Sequence, residues 1–156
     1  MTIKYVIDEQ LVALKEARLD QLLLSSGKVM VAFSGGVDSS FLLFRAVRLL
    51  GNKNVIAVTA DSVIRPDEEM AQARLTAENL EIKQIVFETD ELEFEEFYVN
   101  SPHRCYCCKK ELYGKLVALA EEYGSKTVMD GTIVEDGRGY RPGLGAAAEC
   151  GVISPL

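Results

Sequence analysis

The sequence predicts an α/β fold, a doubly wound parallel sheet with helices on both faces. Three observations support this prediction. Short apolar segments alternate with longer segments whose apolar residues recur every three or four positions, as in alternating strands and helices. The short segments are apolar throughout, which is typical of strands buried on both faces. Two of them end in unusual polar sequence, where ligands bind in such sheets.

The first half of the chain begins with a predicted helix, in which leucines 11, 14 and 22 lie near one face. A short apolar run then predicts a strand. The next helix is stopped by Gly51-Asn52, and a second apolar run follows it. These elements span residues 9–25, 29–33, 39–50 and 55–60.

In the second half, Pro66-Asp67 starts a helix, because proline is favoured in the first helical turn. A third strand follows at residues 85–88. The next helix spans 110–123 and ends at Gly124, and a fourth strand covers 127–129. Two segments, 89–104 and 135–156, lie outside the alternation, and the second is rich in glycine and proline with little periodicity.

Composition indicates one soluble domain covering residues 1–156, of which 48% are hydrophobic and 26% charged. The absence of a membrane-length apolar run and of a secretory signal favours the cytoplasm and excludes a membrane protein. The net charge of −7 argues against nucleic acid as a partner and leaves a small anionic molecule as the expected ligand.

The segment SGGVDSS, residues 34–40, follows the first predicted strand and opens a helix. Gly35 and Gly36 allow a tight turn and close approach of a ligand to the backbone. The free amides of the turn and the helix dipole attract phosphate oxygens. Asp38 can cap the helix or approach a phosphate-bound magnesium ion. Three serines add hydroxyl donors, at positions 34, 39 and 40.

The segment RCYCCKK, residues 104–110, places three cysteines among basic residues, which favours thiolate. Cys105 and Cys108 have C-x-x-C spacing and can face one metal ion or each other. Two cysteines are too few for an all-cysteine tetrahedral site, so partly buried thiols are the alternative. On composition alone, Cys150 is more readily interpreted as a small buried residue than as a nucleophile.

SGGVDSS resembles the PP-loop of the N-type ATP pyrophosphatases, which have the adenine nucleotide alpha hydrolase (Rossmann-like) fold. The resemblance implies ATP and Mg²⁺ as ligands, with the PP-loop holding the pyrophosphate moiety. It implies that the second strand end, including Thr59, binds adenine through backbone groups. It also implies that the fourth strand end faces the phosphates or magnesium, through Asp130, Gly131 and Thr132.

A closer resemblance is carried by RCYxCK, DGT, YRPG and GVxSPL together with the PP-loop. These motifs resemble the ATP-dependent sacrificial sulfur transferases (the LarE family), which form homo-oligomers and convert carboxylates of a pyridinium dicarboxylate mononucleotide to thiocarboxylates. The resemblance implies either that Cys150 gives up its own sulfur, or that Cys105, Cys108 and Cys150 hold a 4Fe–4S cluster.

The candidates for binding the phosphate and carboxylates of the acceptor, a small carboxylated nucleotide, are Arg104, Lys109 and Arg141. The family continues beyond the position where this sequence stops, so we expect its C-terminal region to be missing here. Three alternatives stay open: an ammonia-dependent synthetase of the NAD or GMP synthetase type, a tRNA thiolation enzyme, and a nucleotide-binding module without complete catalysis.

Overall fold

A computed structural model describes residues 8–62, 66–89, 104–133 and 142–156. Within the helices, it does not describe the side chains of residues 104, 105, 107, 108 and 142–144. In the described parts of the chain, no helix is both long and apolar enough to cross a membrane.

Helices and strands alternate along the chain as predicted. In order they are α1 (Glu9–Ser26), β1 (Val29–Ala32), α2 (Val37–Leu50), β2 (Val55–Ser62), α3 (Asp67–Asn79), β3 (Lys83–Thr89), α4 (Arg104–Glu122), β4 (Thr127–Asp130) and α5 (Pro142–Glu149). A short 3-10 turn, Asn52–Asn54, precedes β2.

The four strands form one parallel sheet in the order β3-β2-β1-β4. Strands β1 and β4 are therefore neighbours, and Ala32 pairs with Asp130 at their carboxyl ends. This register makes neighbours of the two strands that end in polar sequence. It brings the SGG turn and the Asp130-Gly131-Thr132 segment to the same edge of the sheet.

Each face of the sheet carries its own apolar core, which confirms the doubly wound architecture. Alternate strand residues such as Val31 and Ala57 pack against α1, α2 and α3 on one face. Their neighbours Met30 and Ile56 pack against α4, α5 and Val152 on the other. Since side chains of a strand alternate between faces, an apolar run is what two covered faces require.

Two helices differ from the prediction. Helix α4 begins at Arg104, six residues before the predicted Lys110, so the C-x-x-C segment is helical. Its apolar stripe continues back to Tyr106, which packs on the core. Helix α5 lies in a segment for which little periodicity was expected. Its small residues gave a weak periodic signal, yet Ala146 and Ala147 are buried.

Candidate active site

The SGG turn is held in shape by its own serines. The Ser34 and Ser39 hydroxyls lie 3.1 Å apart, and the Ser39 hydroxyl also donates to the Gly36 carbonyl at 3.1 Å. The Gly36 amide donates to Ser34 Oγ at 3.3 Å. Ser39 is buried. These contacts fix the backbone of the turn before any ligand arrives.

Helix α2 starts at the turn with Gly36 as its N-cap, and no side chain caps it. The amides of the first turn therefore keep the partial positive charge that attracts anions. Asp38 lies within this first turn, so the expectation that it caps the helix is wrong. Its remaining predicted role is at a phosphate-bound magnesium ion.

Two glycines are required by the close packing around the turn. Gly35 has a φ of 82°, in the left-handed region that favours glycine. A β-carbon at Gly35 would also meet Cβ of Ala73 in α3 at 3.3 Å. A β-carbon at Gly131 would lie 2.6 Å from the backbone nitrogen of Ser39. The end of β4 is thus in direct contact with the start of α2.

A cleft of about 290 Å³ opens between the turn, the end of β4 and one side of α4. It brings together seven of the predicted nucleotide-binding residues: Ser34, Gly36, Asp38, Ser39, Asp130, Gly131 and Thr132. Lys109, predicted as an acceptor ligand, also lines it and supplies a positive charge opposite the turn. Gly35 and Ser40 are not among the residues that line the cleft. Their backbone forms part of the turn and of the helix start, where the Ser40 amide donates to the Gly36 carbonyl.

The Asp130 carboxylate in the cleft accepts four hydrogen bonds. Its Oδ1 accepts from the Thr132 amide at 3.2 Å and from Ser154 Oγ at 2.6 Å. Its Oδ2 accepts from the Tyr113 hydroxyl at 2.5 Å and from Thr132 Oγ1 at 2.9 Å. Burial, and then this hydrogen bond to Asp130, raise the pKa of Tyr113 far above its ordinary value.

Thr59 lies in β2 with its side chain fully buried. Its hydroxyl oxygen accepts a hydrogen bond from Gln84 Nε2 of β3 at 2.9 Å. The Thr59 side chain therefore links β2 to β3 within the sheet. The predicted contact of this strand end with adenine, which concerned only backbone groups, stays a prediction.

Cys150 follows α5 directly and lines a different cavity, of about 450 Å³, beside Val117, Ser125 and Val128. It is a free, partly buried thiol whose Sγ lies 4.0 Å from the Lys110 carbonyl oxygen. The structure thus places it against α4, the helix that contains Cys105 and Cys108. It does not place Cys150 among the residues that line the cleft.

The predicted metal ligands are described only in part. The backbones of Cys105 and Cys108 lie about one turn apart in α4, while their side chains and that of Arg104 lie outside the described atoms. Arg141 is outside the described residues altogether. Among the described side chains, no group of three His, Cys, Asp or Glu residues is placed to hold a metal ion.

A surface cluster holds α5 against α4 next to Cys150. The Tyr106 hydroxyl donates to Glu149 Oε2 at 2.6 Å, and Lys110 Nζ donates to both groups at 3.0 Å. The hydrogen bonds of Tyr106 and Lys110 lower the pKa of Glu149. The pKa of Lys110 is raised by Tyr106 and then by Glu149.

Sequence reasoning missed Tyr113 and Ser154, which complete the hydrogen bonds of Asp130. Tyr113 was part of an ordinary helical segment, and Ser154 lies 24 residues from its partner. The available signal was weak: Ser154 is a polar residue in the otherwise apolar segment GVISPL, and a buried carboxylate such as that of Asp130 needs hydrogen-bond donors.

Comparison with known proteins places this fold and its cleft in context. A family model described as NAD synthase matches residues 11–100. The chain is 40% identical over 144 residues to the pyridinium-3,5-bisthiocarboxylic acid mononucleotide synthase of Lactiplantibacillus plantarum. That match covers 92% of this chain and 52% of the relative. An uncharacterised protein of Synechocystis is 38% identical over 144 residues, a match that covers 90% of this chain and 53% of that protein. The chain spans about half the length of these relatives.

Solved structures with the same fold are more distant in sequence. The NH3-dependent NAD synthetase of Campylobacter jejuni aligns with a TM-score of 0.66 at 16% identity, covering 83% of this chain and 62% of that one. The NMN synthetase of Francisella tularensis aligns with a TM-score of 0.64 at 18% identity, covering 80% and 56%. At these identities the likeness concerns the fold alone.

Proposed function

This chain belongs to the NAD synthase family of PP-loop proteins, and from that premise we propose that it uses ATP to adenylate a carboxylate and then transfers sulfur to it. The acceptor we propose is a pyridinium dicarboxylate mononucleotide. The observation that carries this proposal is the 40% identity to a pyridinium-3,5-bisthiocarboxylic acid mononucleotide synthase across 92% of the chain.

The cleft supports the first half of the reaction. A carboxylate oxygen of the acceptor attacks the α-phosphorus of ATP, the bond to the β-phosphate oxygen breaks, and pyrophosphate leaves. The uncapped amides at the start of α2 and the Ser34 and Ser39 hydroxyls suit the charge of pyrophosphate. Lys109 adds a cation across the cleft. Asp38 would hold the magnesium ion that neutralises the phosphates.

The second half requires a sulfur nucleophile. In one route the Cys150 thiolate attacks the adenylated carbonyl and AMP leaves. Loss of the Cys150 α-proton then breaks its Cβ–S bond, leaving dehydroalanine in the chain and a thiocarboxylate on the product. Cys150 is not among the residues that line the cleft, so this route requires the adenylated carbonyl and the Cys150 thiolate to be brought together.

In the other route, Cys105, Cys108 and Cys150 would ligate a 4Fe–4S cluster, which would supply the sulfide. Thiolates are the usual ligands of such clusters. Two of the three lie one turn apart in α4, and Cys150 packs against the same helix. Arg104 and Arg141 remain proposed ligands of the acceptor in either route, and the assembly of several copies remains a prediction.

The proposal is tested by pyrophosphate release from ATP in the presence of the pyridinium dicarboxylate mononucleotide. We expect release that depends on both substrates, with thiocarboxylate formed by the wild type and not by Cys150→Ala. Cys107→Ala is the matched control, since that cysteine has no assigned role. Intact mass after turnover reveals dehydroalanine if Cys150 is the donor, whereas iron and acid-labile sulfide in anaerobic protein indicate the cluster.

An ammonia-dependent synthetase is the second candidate, because the matching family model carries the name NAD synthase. That function predicts amide formation from ammonia, unaffected when all four cysteines are replaced by serine. Binding of ATP without pyrophosphate release from any of these substrates would instead indicate a nucleotide-binding module.

A further inference from the structure

The carboxylate of Asp130 has no lone pair left for a metal ion. An ionised carboxylate offers about four lone-pair positions, and Asp130 receives four hydrogen bonds, two on each oxygen. The residue is 5% exposed. A magnesium ion requires an oxygen at about 2.0–2.1 Å in near-octahedral geometry, so its binding would break at least one of these bonds.

The donors to Asp130 come from separate parts of the fold. Tyr113 belongs to α4, Thr132 follows β4, and Ser154 belongs to residues 150–156, which follow α5. That segment is itself attached to β4: the Asp130 amide donates to the Ile153 carbonyl, and the Ile153 amide donates to the Val128 carbonyl, each at 3.0 Å.

Asp130 also fixes the course of the chain that touches the phosphate-binding turn. Thr132 bonds the carboxylate through both its amide and its hydroxyl, which closes a tight turn around Gly131. Gly131 in turn lies against the Ser39 backbone so closely that a β-carbon would be 2.6 Å from its nitrogen. The position of this glycine therefore depends on the hydrogen bonds made by its neighbour.

We propose that Asp130 is a positioning residue that does not bind magnesium, and that its bonds to Tyr113 and Ser154 hold Gly131 against the first turn of α2. The phosphate cleft is thereby formed before ATP binds, and residues 150–156 are mechanically connected to it. The inference rests on the proposed function only in taking ATP as the ligand of the cleft.

The test compares Asp130→Asn, Tyr113→Phe and Ser154→Ala with the wild type. The matched control is Ser125→Ala, because Ser125 is a serine that also bonds to the sheet: it donates to the carbonyls of Lys28 and Thr127 at the opposite end of β4. ATP affinity is measured by calorimetry with magnesium and again with a chelator. Ser154→Thr retains the hydroxyl and should restore binding.

For the single hydroxyl deletions we expect ATP affinity to fall about three- to tenfold, and for Asp130→Asn more than tenfold. The loss should be the same with and without magnesium. If Asp130→Asn loses affinity only when magnesium is present, and the other two variants bind as the wild type does, Asp130 is a metal ligand and the inference is wrong.

A second readout does not depend on ATP. Hydrogen exchange of the peptide covering residues 34–43 should be several-fold faster in Ser154→Ala than in Ser125→Ala. Equal exchange in these two variants would overturn the inference even if ATP binds. If the wild type fails to bind ATP while exchange in Ser154→Ala is faster, the proposed function fails and the positioning role of Asp130 stands.

Discussion

Gly131 offers the sharpest test of how the cleft is built, through the substitution Gly131→Ala. The added methyl group would lie 2.6 Å from the Ser39 nitrogen and 2.8 Å from the Ser39 α-carbon. Favourable separations of such atoms begin at about 3.5 Å. The end of β4 and the start of α2 would therefore have to separate by about 1 Å.

The cost of this separation can be placed within a range. Overpacking a well-packed interior costs about 1–3 kcal/mol, and we expect the upper part of that range because the opposing atoms are backbone. The same shift moves the first-turn amides away from the phosphates. ATP affinity should therefore fall by at least about tenfold, since 1.4 kcal/mol corresponds to a factor of ten.

The control is Gly114→Ala in α4, where an added β-carbon meets nothing within 4 Å. Because alanine is favoured over glycine inside helices, this variant should be more stable by about 0.5–1 kcal/mol. Urea denaturation followed by circular dichroism gives the free energies of unfolding, and calorimetry gives the ATP affinity. Wild-type values of both for Gly131→Ala would refute this account of the cleft.

Three further predictions follow from the charges around α4. The pKa of Tyr113 is raised in the folded state, so above about pH 10 this tyrosine ionises in the unfolded chain before it ionises in the folded protein. The wild type should therefore lose stability relative to Tyr113→Phe by up to about 1.4 kcal/mol per pH unit. Urea titrations of both proteins at about pH 9–11.5 check this. Lys109→Met should weaken ATP binding about three- to tenfold, whereas Lys115→Met, on an exposed part of the same helix, should not; calorimetry distinguishes them. Glu149→Gln should lower the melting temperature more at pH 7 than at pH 3. The hydrogen bonds of Tyr106 and Lys110 lower the pKa of this carboxyl, so its stabilising effect is full above the unfolded pKa of about 4.3 and is lost as pH falls through the lower folded pKa.

The predictable parts of the fold were those with a local signal. The apolar runs of β1, β2 and β4 identified strands buried on both faces, and Pro66 marked the start of α3. The glycines and serines of residues 34–40 identified a turn between a strand and a helix, for which phosphate binding is the predicted role.

The parts that could not be predicted depend on contacts between distant residues. Helix α5 consists of small residues whose apolar pattern is weak, and it is stable because Ala146 and Ala147 pack on the sheet-facing side of α4. The sequence of the C-x-x-C segment indicates thiol chemistry and gives no clear sign that the segment is helical. Its helical conformation follows from the packing of Tyr106 and its contact with Glu149, 43 residues away.

The sequence by itself determined the sheet, its buried strands and the SGG turn between β1 and α2, because each is encoded by residues close together in the chain. Only the tertiary structure decided how the cleft is completed. Asp130 and Ser154 are bonded across 24 residues, and Gly131 meets Ser39 across the edge of the sheet. Such pairings depend on strand register and helix packing, which local sequence does not specify.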